Sequence, residues 1–118
     1  MKIKELLLEW QQRLMLNDWV IKVYDNCQTY ELTLRDVAGE CEWEESKKSA
    51  VIRIITEKEY GDRIIPFDKE KILVHELLHI KFSFIQNSGN ELQDRFVHQL
   101  INDMAVSLVA AKRKEVNV

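Results

Sequence analysis

Apolar positions recur along this chain with two different periods, and the change of period divides it into elements. From residue 2 to 16, Ile3, Leu6, Leu7, Trp10, Leu14 and Met15 follow the i, i+3, i+4, i+7 spacing of an amphipathic helix, which Asn17-Asp18 ends. Trp19-Val20-Ile21-Lys22-Val23-Tyr24 is β-branched and aromatic and predicts a strand stopped by Asp25-Asn26. Between 29 and 36, Tyr30, Leu32 and Leu34 alternate only weakly, which fits either a strand or an irregular excursion. Residues 37–44 alternate, Glu45-Ser46-Lys47-Lys48 is a polar turn, and Ala50–Thr56 reads as the returning strand, so a hairpin is expected. The segment from Glu57 to Ile65 reads as a loop, closed by Pro66.

The period then becomes helical. Asp68 is a good N-cap, and Phe67 is placed to pack on Ile72 as a hydrophobic staple, so a helix should run to about Gln86. Asn87-Ser88-Gly89-Asn90 breaks it. A last helix spans about Glu91 to Lys114, with Phe96, Val97, Leu100, Ile101, Met104, Leu108 and Val109 as its apolar stripe. Helix, about three strands, helix, helix is an α+β order, with a small, mainly antiparallel sheet covered by helices.

Composition narrows this picture without redirecting it. A chain of 118 residues, 46% apolar, makes one domain (1–118) with a modest core. The net charge of −3 and the dispersed basic residues give no nucleic-acid footprint, and Ala111-Lys112-Arg113-Lys114 reads as a solvated helix end. No run reaches membrane-spanning length and no secretory signal is seen at the start, so a cytoplasmic protein without a membrane partner is expected. Cys27 and Cys41 read as free thiols on the sheet rather than as a disulfide framework.

The candidate chemistry lies in the first of the two C-terminal helices. Ile72 to Ile85 is apolar on nearly every face, and a helix of that kind is buried. It nevertheless carries His75-Glu76-x-x-His79, polar groups that are costly to bury without partners. Histidines at i and i+4 share one helical face, where two neutral imidazoles can bind one zinc ion. Glu76, offset by about 100°, is placed as a general base rather than as a ligand. The alternative, a closed structural site of His75 and His79 with Cys27 and Cys41, leaves Glu76 without a purpose.

A catalytic zinc keeps three protein ligands and one open position. The last helix offers three candidates. Asp94 sits at the edge of the apolar stripe and is the best placed acid. His98 is chemically the better zinc ligand, and a tight antiparallel helix pair would set it level with His79. Glu91 completes Ser88-x-x-Glu91, a capping box that would occupy its carboxylate. Tyr60, in the loop before the helix, is a candidate oxyanion donor or a plain loop aromatic.

These motifs, together with Leu16–Val23 and Ala38-Gly39 ahead of the hairpin, resemble the minimal zincin metallopeptidases, above all the small phage and prophage members related to ImmA/IrrE-like and SprT-like proteins. The resemblance implies zinc on His75 and His79, with Glu76 as base. The ImmA/IrrE-like pattern puts an acid at Asp94, and the SprT-like pattern a histidine, here His98. It further implies that Ala50–Thr56 is a sheet edge to which a peptide or protein substrate adds as a strand. A different class, a non-catalytic zinc-stabilised module that binds a regulator protein, satisfies the same metal motif without turnover.

Overall fold

The computed structural model describes residues 2–86 and 88–116. In chain order the elements are α1 (Ile3–Arg13), β1 (Val20–Cys27), β2 (Gly39–Glu44), β3 (Ser49–Ile55), α2 (Glu57–Tyr60), α3 (Lys69–Lys81) and α4 (Glu91–Val116). This is the expected α+β order. α1 stops three residues before the predicted end, because Met15 turns into the left-handed region at φ 57°. The buried Gln11 amide secures that reversal by donating to the carbonyls of Leu16 and Trp19 at 3.1 and 3.0 Å. The weakly alternating 29–36 stretch forms no strand; Thr29–Glu31 is a single 3-10 turn. The segment read as a loop after β3 holds the short helix α2, whose N-cap Thr56 accepts from the Glu59 N–H.

The sheet corrects the antiparallel expectation. Its order is β1-β3-β2, with β1 parallel to β3 and β2 antiparallel to it. β3 is therefore the central strand and not the edge that the resemblance implied. Its burial suits that place, since Ala50, Ile52 and Ile54 are buried on the face toward the helices while Val51 and Arg53 on the other face are only partly covered. β2 alternates Glu40, Glu42 and Glu44 with Gly39, Cys41 and Trp43 and takes an edge, where charged side chains discourage unwanted pairing.

α3 lies across one face of the sheet. Leu73, Val74, Leu77, Leu78 and Ile80 are all at most 2% exposed, packed against Trp10, Ile52, Ile54, Ile101 and Val109. Asp68 caps α3 as predicted, accepting from the Lys71 N–H at 3.1 Å. Phe67, expected to staple onto Ile72, packs edge-on against Tyr60. α3 ends at Lys81, earlier than predicted, and a 3-10 turn over Ser83–Ile85 follows. Of the predicted break, Asn87 lies outside the described residues, and Gly89 takes φ +83°. α4 returns antiparallel to α3, bringing His98 to His75 and, near its far end, Lys112 to Glu70 and Arg113 to Asp68. Among the described residues no helix is long and apolar enough to cross a membrane.

Candidate metal centre

His75 and His79 occupy one face of α3 with their Nε2 atoms 3.2 Å apart. Two nitrogens bound to one tetrahedral zinc at about 2.0–2.1 Å lie roughly 3.3–3.4 Å from each other, so this separation suits a shared cation. The third imidazole arrives from α4, with the His98 ring centroid 5.7 Å from each of the other two. The chain's three histidines thus come from two helices to one place. Among the described residues no group of three or more His, Cys, Asp or Glu side chains has its donors closed around a single point. Closure here depends on His98, which is solvent-exposed and can change rotamer without disturbing the core.

Burial keeps the imidazoles in the form a metal requires. It pushes His75 down to about 4, helped by the neighbouring charges that His79 and His98 would carry. His79 is also lowered, first by burial, although its hydrogen bond to Gln86 acts in the opposite sense. Gln86, which lies outside the His-Glu motif, is the partner that orients His79. Its Oε1 stands 2.6 Å from His79 Nδ1, and its amide donates back to the His79 carbonyl. A proton on Nδ1 shared with that oxygen leaves Nε2 with its lone pair toward His75, the outer-shell arrangement usual for a metal-binding histidine. Only the early end of α3 exposes this role, because the turn after Lys81 folds residue 86 back over the helix.

Glu76 is 6% exposed and lies under Gly39 of β2. A Cβ at Gly39 would stand 2.9 Å from Ile72 Cγ2, 3.2 Å from the Arg53 carbonyl and 3.4 Å from Glu76 Oε2, so glycine leaves the room this carboxyl occupies. Burial, with a lesser contribution from Glu40, pushes Glu76 up to about 8. That is the range in which a carboxyl group can exchange protons near neutrality.

The other candidates are placed elsewhere. Asp94 Oδ1 accepts from the Ser88 N–H at 3.2 Å and from the Ser88 hydroxyl at 3.0 Å, tying the turn before α4. Asn90 Oδ1 caps the Gln93 N–H at 3.0 Å, so Asn90 and Asp94 hold the helix start that the sequence suggested for Glu91. The Tyr60 hydroxyl donates to the Ile65 carbonyl. Cys27 packs with Leu32 and Ile55 in a second small cluster away from the histidines. The Cys41 thiol belongs to the main core, where burial and then the charge of Glu76 raise it. Neither cysteine is paired.

A cleft of about 540 Å³ opens beside these groups, lined by Gly39, Ile72, His75, Glu76, His98 and Val106 among others. It places two imidazoles and a buried carboxyl on the wall of a largely apolar, solvent-connected groove. The chain matches no protein-family model, no curated protein and no solved structure significantly.

Proposed function

We propose that this domain is a zinc-dependent peptidase of the cytoplasm, with the metal held by His75, His79 and His98 and with Glu76 as general base. The observation that carries the reading is the convergence of three imidazoles beside a buried carboxyl on the wall of an open cleft. His98 is preferred to Asp94 as third ligand because the Asp94 carboxylate is engaged by Ser88. A zinc ion there supplies Lewis acidity toward a substrate carbonyl and acidifies water at the open position. The protein's own part is to orient and to move a proton. Gln86 fixes the His79 tautomer. Glu76 takes a proton from the water that adds to the scissile carbonyl carbon, and passes it to the amine nitrogen as the C–N bond breaks. A peptide substrate has an unpaired strand to add to, since β2 runs along the cleft side of the sheet with its outer edge free among the described residues.

Zinc content by mass spectrometry, read beside peptide hydrolysis, tests this. About one zinc per chain is expected in the wild type, retained in Asp94→Ala and lost in His75→Ala and His98→Ala. Glu76→Gln should keep the metal and lose at least 100-fold in turnover. A wild type that takes up no zinc, or hydrolysis indifferent to Glu76→Gln, would overturn the peptidase reading.

One observation favours the second reading, a zinc-stabilised module that binds a regulator protein. Leu92, Phe96 and Leu100 are exposed at i, i+4 and i+8 on one face of α4, an apolar row of the kind that partners cover. Zinc binding without turnover, together with lost partner capture in Phe96→Glu, would select it.

A further inference from the structure

The cleft carries a cation that the chemistry proposed above does not use. Lys71 lies on α3 four residues before His75, on the same helical face, and lines the same cleft. It is half-buried, and among the described residues its ammonium enters no ion pair. Asp68, the N-cap of α3, feels the charge of Lys71 but is already held by Arg113 at 2.8 Å and by the Lys71 backbone N–H. Glu70 is taken by Lys112, Arg113 and Trp10. Around Lys71 and the histidines the walls are mostly apolar, formed by Val37, Ile65, Ile72, Ala105 and Val106, with Asn102 as a polar member. The groove continues past Lys71 between Val106 and Val109, with Lys114 on its rim.

We infer that Lys71 selects the substrate, receiving a carboxylate that follows an apolar side chain just beyond the scissile bond. This rests on the peptidase reading of the site. One helical turn separates Lys71 from His75, about 6 Å, which is the reach of one to two residues of extended peptide. An apolar side chain against Ile72 and Val106, with a carboxylate at Lys71, describes either the last residues of a polypeptide or a segment with an Asp or Glu at that position. The shared chemistry is a carboxylate behind an apolar residue. A half-buried lysine whose ammonium has no ion-pair partner among the described residues gains more from such an anion than a fully solvated one does, because the cleft walls exclude part of the water that would screen the pair.

The test is an NMR titration of the Gly39, Asn102 and Ala105 amides with N-acetyl-leucine and with N-acetyl-leucinamide. It is run on the protein as purified and on an EDTA-treated sample. The acid is expected to bind at least 10-fold more tightly than the amide. Lys71→Met should bring the acid to the level of the amide, and Lys71→Arg should keep the preference. N-acetyl-leucyl-glutamic acid α-amide, whose only carboxylate is the glutamate side chain, separates the two sources: binding equal to that of the acid assigns an acidic side chain, and weaker binding assigns a chain terminus. Equal binding of acid and amide, or a preference unchanged in Lys71→Met, overturns the assignment. Zinc content is measured on the same samples, so loss of the metal reading leaves the carboxylate result to stand or fall separately.

Discussion

Gln86 is the residue on which the presentation of His79 turns. It satisfies both the ring Nδ1 and the backbone carbonyl of the same histidine, so its removal frees the imidazole to rotate and to change tautomer. Gln86→Leu is therefore expected to weaken zinc binding about 10-fold or more, read as a lower affinity against a competing chelator, with the far-UV circular dichroism unchanged. Gly39 acts on the neighbouring Glu76 by absence. A methyl group there meets the Ile72 side chain, which must turn aside, and the Arg53 backbone oxygen, which cannot move without displacing β3. Gly39→Ala should cost about 2 kcal/mol in urea unfolding, the usual size of an overpacking strain. Neither residue belongs to the His-Glu motif. Gln86 is separated from His79 by a turn that the sequence read as a continuation of the helix, and Gly39 comes from another element altogether.

Among the elements, α4 does two jobs along its length. Its N-terminal half carries His98 over the cleft, and its C-terminal half is anchored to α1 and α3. Lys112, read from the sequence as part of a solvated helix end, is 6% exposed and reaches both Glu70 and Glu9. Trp10 donates to the same Glu70 at 2.8 Å, and Arg113 binds Asp68. Burial raises the Glu70 carboxyl, but the hydrogen bonds from Lys112 and Trp10 and the charges of Lys112 and Arg113 outweigh it, and the net direction is down. Asp68 is lowered in the same way, with burial opposed mainly by Arg113. A carboxylate whose folded value lies below its unfolded value adds stability that is present above the unfolded pKa of about 4–4.5 and is lost as pH falls through the folded one. The share of the urea midpoint that such carboxylates supply, read as the difference between wild type and Lys112→Met, should thus hold steady from pH 7 to about 5 and fall below about 4. Lys112→Met removes one partner from each of two partly buried carboxylates, leaving Glu9 with Arg13 and Glu70 with Arg113 and Trp10, and should cost about 1–2 kcal/mol at pH 7, a deficit that shrinks in acid as those groups protonate. A deficit that does not change between pH 7 and pH 3.5 would mean that Lys112 acts through packing alone.

At the scale of the whole molecule, the core beneath the histidines is complete without a metal. α3 is packed by the sheet on one side and by α1 and α4 around it, and no buried side-chain polar atom among the described residues lacks a hydrogen bond. On the metal reading proposed above, zinc is expected to add stability to a chain that is already folded rather than to create the fold. At a free concentration 100-fold above Kd the gain is about 3 kcal/mol, which raises Tm by on the order of 10 °C in a domain of this size. Calorimetry with and without EDTA measures it, and the increment should largely vanish in His98→Ala. Unfolding on metal removal would contradict the packing.

What the sequence by itself determined was whatever depends on spacing within one element. The i, i+4 histidines, the Asp68 cap, the all-round apolar α3 and the β2–β3 hairpin are short-range patterns, and each is present in the structure. Tertiary structure decided whatever depends on which element meets which. β3 took the centre of a mixed sheet with its Ala50-Ile52-Ile54 face against the helices, while the pairing of β1 with β3 joins segments too far apart in sequence for periodicity to register. The same holds at the site. His98 and Asp94 lie one turn apart on one helix, and a helical wheel favours the acid. The antiparallel docking of α4 on α3 turned the histidine toward the cleft, and the turn at Ser88 drew the aspartate away.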